Sequence, residues 1–478
     1  MIKKILATLV IVFIAVSALV ILYWRDVQYS PSATDFVLYF LGLPVAITLI
    51  LLSPWLIYRA YRAHQDKQAA LKQQKQQQIL QQQQQAEQAA LPEKAQTEWQ
   101  TVQIYSAHAW SGLGEDQSII EALQQFPCAE LDSELCNAHG LPILSYRIAD
   151  LDQQVTAQDE DEPFSWLSLR QQRIQALIQQ QLEQHSTVLW QIAEHLQQST
   201  LFYDGKQSTE YRMHPAWVNP NAASTESSTE VLAPQAVSRL DGLHVQLILP
   251  DNLALTWDQS QSEEALTSVL QSLGFEAHQL KLDYHFVDAD QAYSMTLKQL
   301  QRAAQNSTWV TLLLVADSEI DQDYLDEQTW QQSHYVPAEF AASCCIAQPN
   351  LQLQDLKALQ FLSIASAQPE LSEVFTQTAW TDLPQYQAEQ PFVLLLDDMK
   401  QAKVVKQAEQ HFAKTAIQQQ HYLLQHGSVG SSQTLAEAYG VLLGLQIQAE
   451  SMALVTNLKH PDSHVLLHSE ALRLTEVA

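Results

Sequence analysis

Cysteine and histidine are the residues in this chain best suited to nucleophilic or metal chemistry. Only four cysteines occur, Cys128, Cys136, Cys344 and Cys345. Cys344 and Cys345 are neighbours in a predicted strand, so their side chains point to opposite faces and a disulfide between them is disfavoured. Thiols buried at a strand end read as inert core residues. Cys128 and Cys136 fall in a loop without a motif partner, and with no CxxC pair a structural zinc has no support. This cysteine usage fits a reducing compartment. His460, His464 and His468 recur at spacing four, an interval that suggests a metal. They cross Pro461 and a predicted strand, however, and no Cys or carboxylate completes a site. His421 and His426 lie shortly before the turn Gly427–Gly430 and read as helix-end residues. No GxGxxG, Walker lysine motif, GxSxG or HExxH is present, which argues against an ATPase. The expectation is no catalytic, cofactor-binding or metal-ligating residue, and no cofactor.

The formal charge of -28 opposes partners rich in phosphate, nucleic acid above all, and broad binding to anionic lipid. It reads as a device for solubility. The 478 residues have room for a membrane anchor with one large domain or two small ones. Ile5–Leu22 and Phe36–Ile57 are apolar runs, each near the roughly 20 residues that cross a bilayer. They predict a transmembrane hairpin within residues 1–63, with helices at about 5–24 and 36–58. Trp24 and Trp55 sit near the span ends, where amphipathic rings prefer the interface. Arg59, Arg62, Lys67, Lys72 and Lys75 follow the second run, and retained basic residues put both termini on the cytoplasmic side. Residues 64–98 begin with a Gln-dominated segment read as a helical stalk, and 99–478 form the large cytoplasmic domain.

Within that domain, strands are predicted over Thr101–Ser106, Leu141–Ile148, Leu243–Leu249, Val310–Val315, Pro391–Leu396, Ala453–Asn457 and His464–His468. A further strand enters through Pro337 and ends at Cys344–Ile346. Helices are predicted over about Asp116–Gln125, Trp166–His185, Val188–Gln198, Glu263–Leu273, Gln291–Gln305, Tyr324–Trp330, Lys400–Gln420 and Ser432–Leu445. Gly274 is a stop signal for the fourth of these. Ala157–Glu162 and Asn219–Glu230 read as surface loops. Strands alternating with helices indicate an α/β fold. Val310–Val315 is apolar without alternation, as expected of a parallel strand covered on both faces.

The stretch Trp309–Ala347 resembles the β-ketoacyl-ACP synthases of the thiolase-like superfamily. Their corresponding run reads strand, Gly-Gly-x-Asp-Ser, short helix, then Pro-x-Glu-Ala-Ala into a strand. The matching residues are Leu314-Val315-Ala316-Asp317-Ser318 and Val336-Pro337-Ala338-Glu339-Phe340-Ala341-Ala342, with the glycines absent. Asp397-Asp398-Met399 stands where those proteins carry an Asp-x-Asn-Gly-like turn, and Ser428–Gly440 where they carry a Gly-rich turn and helix. The resemblance covers roughly Thr101 to Leu467. It implies a five-layer αβαβα domain in two similar halves, about 99–345 and 346–478, and a homodimer paired across a central strand.

Claisen condensation in that family uses a cysteine at a helix start, where the dipole favours thiolate, and two groups, usually both histidine. The resemblance places the nucleophile near Asp290 or Gln291, neither of which forms a thioester. The first histidine belongs between Ala342 and Pro391, yet none occurs from Ile346 to Gln410. The second should follow the glycine of the turn, and Gly430 is followed by Ser431. The reading is a pseudoenzyme, a membrane-anchored scaffold or docking protein. Membrane-linked synthase-like proteins are similar to accessory components of bacterial type VI secretion. That implies a multi-pass inner-membrane location and a baseplate or membrane-complex partner. The rival reading is an acyl-transfer or condensing enzyme acting on acyl-ACP or acyl-CoA through a non-standard site.

Overall fold

The larger part of the chain begins with strand β1 (Glu98–Ser111), which turns through β2 (Gly114–Glu115) into helix α1 (Gln117–Gln124). A two-stranded hairpin follows, β3 (Glu130–Cys136) and β4 (Pro142–Ser145), and then three helices, α2 (Ala149–Asp159), α3 (Leu169–Gln184) and α4 (Ser186–Thr209). Next come β5 (Gly242–Pro250), α5 (Gln259–Ser272), β6 (Leu280–Val287), α6 (Ala292–Gln305), β7 (Trp309–Ser318), α7 (Gln322–Gln331) and β8 (Glu339–Ala347). The remainder is β9 (Gln360–Ser366), α8 (Leu371–Gln377), β10 (Phe392–Leu396), α9 (Ala402–Phe412), β11 (Gln420–Leu424) and the short α10 (His426–Val429). It closes with α11 (Ala436–Leu443), β12 (Met452–Thr456) and β13 (His464–His468).

In this computed structural model the chain divides into two units, Met1–Lys94 and Ala95–Ala478. The structure describes residues 13–14, 16–23, 25–26 and 42 of the first. In the second it describes residues 97–159, 167–209, 238–331, 334–354, 356–378, 386, 391–397, 400–413, 415, 417, 419–447 and 452–470. In the first unit, residues 13–14, 16–23 and 25–26 are helical, covering the later part of the first apolar run and the residues just after it. Among the described residues no helix is long and apolar enough to cross a membrane. The expected second span (residue 42 aside), the Gln-rich segment to residue 96 and the loop Asn219–Glu230 lie outside the described residues. The first three residues of the expected loop Ala157–Glu162 belong to the end of α2.

β1 serves both halves of the larger unit. Its Gln103–Ser111 stretch pairs antiparallel with β8 and its Glu98–Ile104 stretch antiparallel with β9. A bulge at Tyr105, where the β8 register shifts, marks the handover. Outward from this strand lie β8, β7, β5 and β6 on one side, and β9, β13, β12, β10 and β11 on the other. The two sets repeat one another. β6, β5 and β7 are parallel, β8 is antiparallel to β7, and β1 is antiparallel to β8. β11, β10 and β12 are likewise parallel, β13 is antiparallel to β12, and β9 is antiparallel to β13. The strands are used in the same chain order in both sets, so β1 corresponds to β9 and β5 to β10.

Although hydrogen bonding joins these strands into one sheet, the cores show five layers. Strand pleating sends alternate residues of an apolar run to opposite faces. Leu312 and Leu314 pack outward against α3, α4 and α5, whereas Leu313 and Val315 face inward. In the second half Leu394 and Leu454 face outward toward α8 and α9, and Val393 and Val455 inward. The two inward faces share one core with α6 and α11 between them. The order is therefore helix, sheet, helix, sheet, helix, the mixed α/β arrangement in two halves that the resemblance implies.

Several elements differ from expectation. The helix predicted over Lys400–Gln420 stops at Phe412, and Gln420–Leu424 forms an edge strand parallel to β10. Ladder hydrogen bonds to β10 override the helical leaning of this Gln-rich run. The helix predicted from Ser432 starts at Ala436, and the strand predicted over Leu141–Ile148 is confined to Pro142–Ser145. β6, β9 and α8 were not expected.

Candidate functional site at the start of helix α6

α6 begins where the resemblance puts the nucleophile. Asp288 caps the turn before it, its Oδ1 accepting the N–H groups of Asp290 (3.1 Å) and Gln291 (2.9 Å). Short polar side chains favour this local bonding over regular structure, which starts the helix here. Asp290 is exposed and bonds Lys459 Nζ at 3.0 Å. Lys459 lies in the turn between β12 and β13, and its Nζ also reaches Glu437 Oε1 at 3.1 Å, in the first turn of α11. Lys459 thus ties together the starts of the two central helices. Burial works against its charge, but the hydrogen bonds to Asp290 and Glu437 prevail and raise its pKa.

One turn further along α6, Tyr293 is fully buried; its hydroxyl donates to the Ser463 carbonyl at 3.3 Å and its ring stacks on His460, centroids 5.2 Å apart. Burial, with the negative charges of Asp397, Glu437 and Asp462 behind it, pushes the phenol pKa far up, so Tyr293 is not a source of phenolate. Asp397, at the end of β10, accepts the Leu458 N–H at 2.8 Å and the Gln401 amide at 2.5 Å. Gln401 in turn accepts from Thr456. Asn457 Oδ1 holds the N–H groups of Lys459 (2.8 Å) and His460 (3.1 Å). The β12–β13 turn is in this way fastened across the start of α6.

The thiols are elsewhere. Cys344 and Cys345 are fully buried in β8 and face different cores, as their adjacency predicts. Burial raises both thiol pKa values, so neither is a thiolate at neutral pH. Cys128 is exposed, and Cys136 is partly covered at the end of β3.

The histidines singled out in the sequence do not converge either. His421 and His426 are exposed on β11 and at the start of α10. His464 is buried, its Nε2 against the Gln368 carbonyl at 2.9 Å, and burial lowers its pKa. His468 bonds Ser363 Oγ at 2.9 Å and stacks on Phe361, with burial bringing its pKa down to about 4. Among the described residues no group of three or more His, Cys, Asp or Glu could hold a metal ion. Gly430 has φ +56, and a Cβ there would lie 2.5 Å from the Val336 carbonyl oxygen; the following Ser431 donates its N–H to that same oxygen.

The motif residues that carry the resemblance form a buried charge cluster at the β7–β8 corner. Asp317 pairs with Arg170 of α3 at 2.9 Å. Glu339 accepts from Arg173 Nε (2.8 Å) and Nη2 (2.7 Å), and from Ser318 Oγ (3.1 Å). Glu319 is buried beside Asp317; burial first, then that neighbouring charge, raise its pKa to about 8. Sequence reading passed over Lys459, Glu437 and Tyr293, and also the α3 arginines. The signal for the last was Arg170 and Arg173 at i, i+3 in an otherwise apolar and Gln-rich helix, one face of which must be buried.

No family model and no curated protein matches the chain. Among solved structures it is similar to the ketosynthase from module 6 of the bacillaene synthase of Bacillus subtilis 168, with 8% identity over 78% of this chain and 71% of that one, and a TM-score of 0.40. It is also similar to the oxazolomycin ketosynthase domain of Streptomyces albus JA3453, with 9% identity over 80% and 76% and a TM-score of 0.41. The ishigamide ketosynthase/chain length factor matches with 13% identity over 78% and 99% and a TM-score of 0.37. At these scores the functional reading rests on the chain's own residues.

Proposed function

We propose that this protein is a non-catalytic docking or dimerisation scaffold, a condensing-enzyme-like framework without the chemistry. One observation carries the reading. A helix N-terminus favours negative charge, which is what a thiolate or an oxyanion needs. At the starts of α6 and α11 that place is taken by the chain's own carboxylates, Asp288, Asp290 and Glu437, with Lys459 bridging the last two. The position given to the nucleophile holds Asp290 and Gln291, and the described thiols stand apart from it. The test is incubation of the full chain with acyl-CoA and acyl-ACP, followed by intact mass. The expected result is no covalent adduct; a stable adduct on any cysteine returns the acyl-transfer reading.

The scaffold is tethered to the bacterial inner membrane by two spans, with both termini and the large domain in the cytoplasm. The apolar runs of residues 5–24 and 36–58 and the basic residues after them support this. Protease treatment of intact spheroplasts should leave the domain uncut. The homodimer implied by the resemblance has an available edge in β6, the outermost strand of its half, whose outer hydrogen-bonding groups have no strand partner among the described residues. Mass photometry should give twice the chain mass. The docking partner we propose is the type VI baseplate or membrane complex, to be sought by pull-down from membranes.

A further inference from the structure

The inner face of the first half-sheet changes character along its length. Toward the strand ends it is apolar, with Ile248, Val287, Leu313 and Val315 in the shared core. Toward the strand starts the same face carries His244 and Gln246 of β5, and Lys281 and Asp283 of β6, in register with one another. With Arg302 of α6 and Trp309 of β7 they line a cavity of about 520 Å³. That volume is within the range of small-molecule sites.

The charges in this wall do not cancel. Asp283 Oδ2 accepts from Lys281 Nζ and from His244 Nε2, both at 2.8 Å. His244 Nδ1 is then an acceptor, and the Gln246 amide donates to it at 3.1 Å. Burial lowers the His244 pKa, which keeps the ring neutral. Arg302 bonds the amide oxygen of Gln299 at 3.1 Å and meets no carboxylate among the described residues. Two cations therefore face one carboxylate, in a chain whose formal charge is -28. Gln246 is 1% exposed, and its Oε1 has no partner, an arrangement that costs free energy. A cation in the last turn of α6 suits the helix dipole, but that role explains neither the cavity nor the unpartnered amide oxygen.

We propose that this cavity binds a small oxyanion, carboxylate or phosphate, that carries a neighbouring hydroxyl or amino group. Arg302 and Lys281 face the oxyanion, and the Gln246 amide, turned toward the cavity, accepts from the neighbouring donor. Trp309 supplies an apolar wall. The site is at the opposite end of α6 from Asp290, about 20 Å away along a 14-residue helix, and does not depend on the scaffold reading.

The test is isothermal calorimetry on the full chain with sn-glycerol 3-phosphate, inorganic phosphate, lactate, acetate and glycerol. Saturable binding is expected for glycerol 3-phosphate or lactate, and whichever binds identifies phosphate or carboxylate as the preferred group. Its counterpart without the hydroxyl binds more weakly, and glycerol does not bind. Arg302→Gln weakens binding about ten-fold or more, the loss of a charge-assisted hydrogen bond. Gln246→Leu removes the preference for the hydroxylated ligand. Lys281→Gln, at a half-exposed position that folding tolerates, gives a second reading of the same charge. Absence of saturable heat with every oxyanion overturns the proposal, as does binding unchanged by both charge variants.

Discussion

Removing the guanidinium of Arg173 while keeping its bulk, as Arg173→Met, tests what joins α3 to the sheet. Glu339 is fully buried and accepts four hydrogen bonds, two of them from Arg173. The others come from the Ile148 N–H at 2.5 Å and from Ser318 Oγ. Arg173 Nη1 also reaches Asp152 of α2 at 2.5 Å, so one side chain links α2, α3 and the β7–β8 corner. Without it Glu339 is left as a buried carboxylate with two neutral donors. Breaking a buried pair in this way costs about 3–5 kcal/mol. Adding Glu339→Gln should restore part of the loss, because a neutral amide in the same place carries a desolvation penalty of only about 1–3 kcal/mol. Urea unfolding of the full chain, followed by tryptophan fluorescence, measures both. The reasoning fails if Arg173→Met costs less than about 1 kcal/mol, or if the double variant is no more stable than the single one.

Further outcomes follow from the same geometry. Iodoacetamide at neutral pH should label Cys128, whereas Cys344 and Cys345 should react only after unfolding; peptide mass mapping decides it. Glu319 has a folded pKa of about 8 against an ordinary 4.5, so the native state holds the extra proton between those values. Its contribution is full below pH 4.5 and is lost as the pH rises toward 8; Glu319→Gln should flatten the denaturation midpoint over this window. The opposite sign applies to His185, which burial, then His108, lower to about 3: its contribution is present above pH 6.5 and lost as the pH falls toward 3. His185→Gln should reduce the acid sensitivity measured between pH 6.5 and 4. Gly430→Ala places a Cβ against the Val336 carbonyl at positive φ, and thermal unfolding should show a loss of about 1–3 kcal/mol.

What the sequence made legible was the apolar skeleton. Val310–Val315, Pro391–Leu396 and the Cys344–Cys345 strand are short apolar runs bounded by polar turns, and they fold as β7, β10 and β8. Gly274 ends its helix at φ +106, the conformation that made it a stop signal. β6 was passed over although LKLDYHFV alternates up to Phe286, because its inner face bears Lys281, Asp283 and His285 where a core residue is expected. β9 is interrupted by Ser363, whose hydroxyl bonds Thr101 and His468, contacts that no local pattern announces. At the start of α6 the absence of a cysteine was readable, but its replacement was not. Lys459 is 169 residues from Asp290, and only the pairing of β12 with β10 and β13 brings its turn there.

The repeat within the fold explains why one lysine is enough for both helix starts. α6 follows β6 in the first half and α11 follows β11 in the second, so the two lie in equivalent places inside the shared core. Each begins beside carboxylates, which suit the positive end of its dipole. Two acidic helix starts meeting at the middle layer would repel unless a cation stood between them. The β12–β13 turn supplies Lys459, tied to both at 3.0 and 3.1 Å. The cation offsets charge that the chain itself placed there, which leaves little attraction for an incoming oxyanion. In the first half-sheet the surplus cations are instead at the far end of α6, where Arg302 meets no carboxylate among the described residues. Opposite charge balances at the two ends of one helix make the far end of α6, not its start, the place where this framework can attract an anion.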